Sequence, residues 1–217
     1  MTAPYIIAEA AQGFEGNPAL ASLLVRGASA AGADAIKFQI VVADEIAVPD
    51  HSYYDLYCRH EMPLEAWAKI RADAKAAGID LVTDVYGPKG LEIARAINVD
   101  GIKLHSLTFF EDVLTRSVLD TEKPVYVSIG GVTNEEIDTY VRQFQLVERG
   151  NVTILFGYQA EPTPIDRNNL ARMAALRSLT GLEIGFQDHT EGTGPDTVTL
   201  SAVALGLGVR LFEKHIT

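Results

Sequence analysis

The chain is 217 residues long, 47% hydrophobic, and carries a formal charge of −11 at neutral pH. That is enough apolar residue for one buried core, and too acidic a balance for a nucleic-acid backbone as partner. A lone cysteine, Cys58, cannot close an internal disulfide, the first residues hold no basic leader, and the apolar stretch from Val198 to Leu211 is short and broken by Gly206 and Gly208. A cytoplasmic protein with no membrane partner is expected.

Short apolar runs rich in β-branched residues recur roughly every 25 residues, with helix-like segments between them, which is the rhythm of βα units. The first strand is expected at Tyr5–Ala8, followed by an Ala/Leu-rich helix from Pro18 to Ala31 that stops at Gly32. A second strand, Ala35–Phe38, leads into the longest loop, Val41 to Met62, whose His51 and His60 read as solvated. A helix from Pro63 to Ala77 stops at Gly78, and strands follow at Asp80–Thr83, Gly101–Leu104 and Pro124–Ser128. After the Gly130-Gly131 turn, Thr133 with Glu135 and Glu136 marks a capped helix start. The last strands are expected at Val152–Phe156, Leu182–Gly185 and Val209–Glu213, with a helix from Val198 to Leu207 ending at Gly208. Eight strands with no linker between them predict a single α/β domain over 1–217, a (β/α)8 TIM barrel lacking its last helix.

In such a barrel the active face is read from the strand C-terminal ends. Those positions hold Glu9, Lys37 with Gln39, Thr83 with Asp84, Lys103 with Ser106, Ser128, Gln159 with Glu161, Gln187 with His189, and Glu213 with His215. Two lysines at one level, with Thr83, Ser106 and Ser128 nearby, predict an oxyanion or phosphate pocket. Two histidines ending neighbouring strands predict a divalent metal whose remaining positions go to water and substrate oxygens. Asp188 and Glu213 read either as orienting the imidazoles or as buried capping carboxylates. His105 receives little weight as a mouth residue, and Glu9 reads equally as a hydroxyl acceptor or a lysine partner.

Several strings together resemble the sialic acid synthase family: Ile6-Ile7-Ala8-Glu9, Gly32-Ala33-Asp34-Ala35-Ile36-Lys37-Phe38-Gln39, Lys103-Leu104-His105-Ser106, Pro162-Thr163-Pro164, Asp188-His189-Thr190 and Glu213-Lys214-His215. The resemblance runs from Tyr5 to Thr217. It implies condensation of phosphoenolpyruvate with N-acetylmannosamine or a related amino sugar, with Mn2+ or Mg2+ on His189 and His215. It also implies that Lys37, Thr83, Lys103, Ser106 and Ser128 cradle phosphoenolpyruvate and that Glu9 contacts the sugar. The block assigned to catalysis is then Glu9, Lys37, Lys103 and Glu213, with Gln159, Glu161 and Gln187 joining the substrate contacts. A homodimer is one expectation for the assembly.

The departures fall on the acceptor side. Gly13-Phe14 stands where the family has Asn-His, Gln187 where it has Ser, and Phe156-Gly157-Tyr158-Gln159 where it has a His-Cys-Thr-type run. The family's C-terminal antifreeze-like domain has no counterpart in these residues. Two other readings remain open at this point: a metal-dependent sugar-phosphate aldolase or lyase, and a non-catalytic sugar- or oxyanion-binding barrel domain.

Overall fold

The computed structural model describes residues 3–216, so Met1, Thr2 and Thr217 lie outside the described residues. Eight parallel strands close into one barrel in sequence order: β1 (Tyr5–Ala11), β2 (Ala35–Gln39), β3 (Asp80–Val85), β4 (Gly101–Leu104), β5 (Val125–Ser128), β6 (Val152–Phe156), β7 (Glu183–Asp188) and β8 (Leu211–His215). Around it run α1 (Pro18–Ala30), α2 (Ala43–Ile46), α3 (Tyr54–His60), α4 (Leu64–Ala77), α5 (Pro88–Ala96), α6 (Asp112–Leu119), α7 (Asn134–Gln143), α8 (Leu146–Arg149), α9 (Ala171–Thr180) and α10 (Pro195–Gly206). The expected barrel is observed, and among the described residues no helix follows β8. No helix is long and apolar enough to cross a membrane among those residues.

Strand alternation builds two cores. On β2, Ile36 and Phe38 face the helices, where they join Trp67, Leu81, Ile102 and Phe186 in the outer core. Ala35 faces the barrel axis with Ile7, Val82, Tyr126 and Leu155, a separate inner cluster. Because side chains alternate with period two, the next inward residue on β2 after Ala35 is Lys37. The polar strand-end residues therefore sit on top of an apolar plug, on the same parity as Ile7 and Val82.

Local signals place the helix ends. Thr133 and Glu136 form a reciprocal capping box at the start of α7, as the sequence predicts. Gly78 ends α4 in the left-handed region at φ +74°, which costs a glycine little. The stretch expected as a loop between Val41 and Met62 instead contains α2 and α3. Glu45 of α2 accepts from the Lys89 and Gly90 backbone N–H groups, satisfying the α5 N-terminus with an anion. His51 is exposed, as expected, but His60 is not solvated: it is half-buried against Phe14, with Nδ1 3.1 Å from Gln12 Oε1. The Phe14 ring in turn packs edge-on against Trp67 at 5.5 Å, which pins the β1 and β2 loops to α4.

Candidate active site

Strand register brings the charged residues together. Glu9 lies beside Lys37 on one neighbouring strand and beside His215 on the other; Asp84 lies beside Lys103, and Gln187 beside Glu213. The Lys37 ammonium is 2.7 Å from Glu9 Oε2, 2.7 Å from Asp84 Oδ2 and 3.6 Å from Glu213 Oε2. It hydrogen-bonds Asp84, whereas Glu9 Oε2 makes only the charge contact. Lys103 donates to Glu213 Oε1 at 2.6 Å. Three carboxylates thus meet two ammonium groups with almost no solvent between them.

Burial decides how this cluster is charged. Desolvation pushes Glu9 up to about 8, against the pull of Lys37, with Glu213 and Asp84 adding to the rise. Burial acts on Glu213 in the same direction, but Lys103 and Lys37 outweigh it and bring its carboxyl down to about 2. Lys37 is disfavoured by burial yet held well above its ordinary value by Asp84, Glu213 and Glu9. At neutral pH Glu9 therefore keeps its proton, while Glu213 is ionised and Lys37 charged.

Above this floor lies a cavity of about 220 Å3. Glu9, Lys103, Gln159, Glu161, His189, Glu213 and His215 line it, as do His105 and Gln39. His105, given little weight on sequence grounds, therefore does face the mouth. Burial lowers its imidazole to about 4, so it is neutral there.

The other predicted residues stand apart from the cavity. Lys37 is 0% exposed and lies beneath the floor, so its charge is already spent on carboxylates rather than offered to a ligand. Thr83 pairs in register with Phe38 and Ile102, which puts it on the helix-facing side of β3; Asp84 takes the inward position. Ser106 is half-buried in a 3-10 turn after β4 and does not reach the lining. Ser128 is fully buried and engaged by two glutamines: Gln187 at 3.0–3.1 Å and Gln159 Nε2 at 3.3 Å. Glycines make room for both amides. A Cβ on Gly130 would meet Gln159 Cγ at 2.1 Å, and one on Gly157 would meet the Gln187 carbonyl oxygen at 2.2 Å. Of the two β3 residues named at the strand end, the sequence favours Thr83 for the role, but it is Asp84 that faces inward, since nothing in β3 alone says which parity does so.

His189 and His215 come together with ring centres 5.2 Å apart. Their expected orienting groups are corrected. His189 Nδ1 lies 2.8 Å from the Tyr158 carbonyl, and His215 Nδ1 lies 3.4 Å from Glu161 Oε1. Asp188 instead accepts from Thr190, Thr197 and Lys214, which fixes the β7–α10 loop. Glu213 is committed to the lysines. Burial lowers both imidazoles, which favours their neutral form at pH 7; His189 Nδ1 is engaged by a carbonyl, whereas His215 Nδ1 has only the longer contact to Glu161. No group of three or more His, Cys, Asp or Glu arranged for a metal exists among the described residues. The site offers two imidazole ligands and fits a cation whose other positions are filled by water or substrate oxygen.

Comparison with known proteins bears on this geometry. The model of the NeuB family matches residues 24–217. An uncharacterized protein of Methanocaldococcus jannaschii is 30% identical over 98% of this chain and 62% of its own length. The pseudaminic acid synthase of Campylobacter jejuni is 26% identical over 97% of this chain and 64% of its own length. The chain thus spans just under two thirds of these curated relatives. The crystal structure of a sialic acid synthetase from Leptospira borgpetersenii, in complex with citrate, superposes with a TM-score of 0.91 at 24% identity, covering 100% of this chain and 74% of that one, which shows the shared fold.

Proposed function

Because the chain belongs to the NeuB family, we propose that it condenses phosphoenolpyruvate with an N-acetylmannosamine-like amino sugar, giving a sialic-acid-type nonulosonate and phosphate with the help of Mn2+ or Mg2+. The observation that carries this reading is the pair of imidazoles, His189 and His215, with ring centres 5.2 Å apart over a floor of Lys103, Glu9 and Glu213. A divalent cation on that pair would act as a Lewis acid on the sugar's aldehyde.

The chain's own groups supply the rest. C3 of phosphoenolpyruvate attacks the aldehyde carbon, water adds at C2, and the C2–O bond to phosphate breaks in the resulting hemiketal. Lys103, at the cavity edge, is the cation that meets the phosphoryl group and offsets charge as phosphate departs. Glu9 holds a proton at neutral pH, so its carboxyl donates a hydrogen bond to an acceptor-sugar oxygen. Lys37 works from below, holding the Glu9, Asp84 and Glu213 carboxylates in position. Gln159 and Glu161 contact substrate from the wall, while Ser128 and Gln187 fix the Gln159 amide.

The test is phosphate release. It is expected only when phosphoenolpyruvate, the amino sugar and Mn2+ are all present. His215→Ala should abolish turnover and Mn2+ binding, read by calorimetry, with an unchanged circular dichroism spectrum. Release without sugar, or His215→Ala with unaltered rate and Mn2+ affinity, would overturn the reading. Cleavage of a single phosphorylated sugar would establish the aldolase instead, and chelator-insensitive binding without turnover the binding domain.

A further inference from the structure

On the far side of the β6–α9 loop lies a second depression, of about 560 Å3, which the condensation does not use. Its floor is the β5–α7 turn and the end of β6; Arg167 and Arg172 stand over it. Arg172, on α9, donates through Nη2 to the Val132 carbonyl at 3.0 Å and to Asn134 Oδ1 at 2.9 Å. Its guanidinium also lies over the Phe156 ring, 5.7 Å from the centroid. The plane of the fork is therefore fixed by neutral groups on one side. Among the described residues its Nε and Nη1 make no hydrogen bond and no carboxylate pairs with it, in a chain of 29 acidic and 18 basic residues.

Two further donors converge. Gly131 lines the depression at φ +81°, and among the described residues its backbone N–H makes no hydrogen bond. Arg167 is mostly exposed and meets Asp166 only at 3.9 Å. Asp166 is the single carboxylate of the lining, so the two guanidinium groups leave the depression cationic. The N-cap N–H of α7, that of Thr133, contributes nothing, because it already donates to Glu136.

We propose that this depression is a binding site for a small oxyanion ligand, a phosphoryl or carboxylate compound, gripped by Arg172 and Arg167 with the Gly131 N–H. With both Nη2 protons taken, the Arg172 guanidinium offers its Nε–H and Nη1–H as separate charge-assisted donors, and Ile129, Val132 and Phe156 supply apolar contact for the ligand's carbon body. The ligand would bear on the segment carrying Tyr158, which lines this depression and whose carbonyl lies 2.8 Å from His189 Nδ1. The assignment is independent of the condensation reading.

Calorimetric titration of the whole, metal-free protein with inorganic phosphate, and separately with succinate, tests it. Wild-type protein should bind at least one of the two, and the tighter one identifies the phosphoryl or carboxylate source. Arg167→Glu and Arg172→Gln should each weaken that binding at least tenfold, whereas Lys103→Met, in the other cavity, should leave it in place. Arg172→Gln also removes a contact to the β5–α7 turn, so Arg167→Glu, on an exposed side chain, carries the test alone if needed. Binding lost in Lys103→Met but unchanged in both arginine variants, or no binding of either anion by wild type at millimolar concentration, would overturn the proposal.

Discussion

Replacing Lys37 by methionine asks what the buried charge cluster is worth. The side chain is 0% exposed and contacts three carboxyl groups, so its removal leaves Glu9, Asp84 and Glu213 with Lys103 as the one nearby ammonium group among the described residues. Breaking a buried ion pair from one side costs about 3–5 kcal/mol, because the stranded charges stay desolvated. For a chain of this size that corresponds to a melting temperature lower by roughly 6–20 °C. Urea unfolding followed by circular dichroism measures it. The structure adds a signature: the loss should be smaller at pH 5 than at pH 8, since carboxylates that take up protons no longer need the lysine. The double variant Lys37→Met/Asp84→Asn should recover part of the loss, with a coupling above about 1 kcal/mol, as expected for residues in one network. A loss under about 1 kcal/mol, or strict additivity in the double variant, would show that the cluster is not held together by Lys37.

Three other outcomes follow from the geometry. Glu9 is protonated in the fold up to about 8 but ionises near 4.5 once unfolded, so the folded state binds the extra proton between those values and its contribution to stability, complete below 4.5, is lost as pH rises through 8; Glu9→Gln should flatten that slope in pH-dependent urea titrations, and an unchanged slope would refute it. Glu213 runs the other way: with its carboxyl held near 2, its stabilisation is present above 4.5 and lost as pH falls toward 2, so Glu213→Gln should unfold at a less acid-sensitive midpoint. Gly130→Ala should destabilise the barrel and be rescued by Gln159→Ala, because the clash is with the glutamine side chain alone, while Gly157→Ala should resist rescue by Gln187→Ala, because its nearest contact is the backbone oxygen at 2.2 Å; thermal melts of the two double variants decide it, and equal rescue would count against the contacts.

The βα rhythm of apolar runs and helix caps carried the fold, because the barrel is built of local elements whose boundaries are written in neighbouring residues: Thr133 and Glu136, Gly78, the alternation Ala35-Ile36-Lys37-Phe38. The same locality brought the two histidines together, since His189 and His215 end adjacent strands and adjacent strand ends in a barrel must meet. What a lysine faces is different in kind. Lys37 and Lys103 read as free cations because a sequence shows a charge and not its counter-charges; β3 and β8, distant in sequence, deliver Asp84 and Glu213 to them. The parity that turns Asp84 inward and Thr83 outward depends on which face of β3 its neighbours bury, and the orienting partners of the histidines are a backbone carbonyl and a loop carboxylate that carry no local signature. The sequence by itself determined the eight strands, the helices capped around them and the polar residues that crown the strands, though not α2 and α3. Only closure of the barrel decided how those residues are charged, because desolvation and Coulomb pairing depend on distances across the axis rather than along the chain.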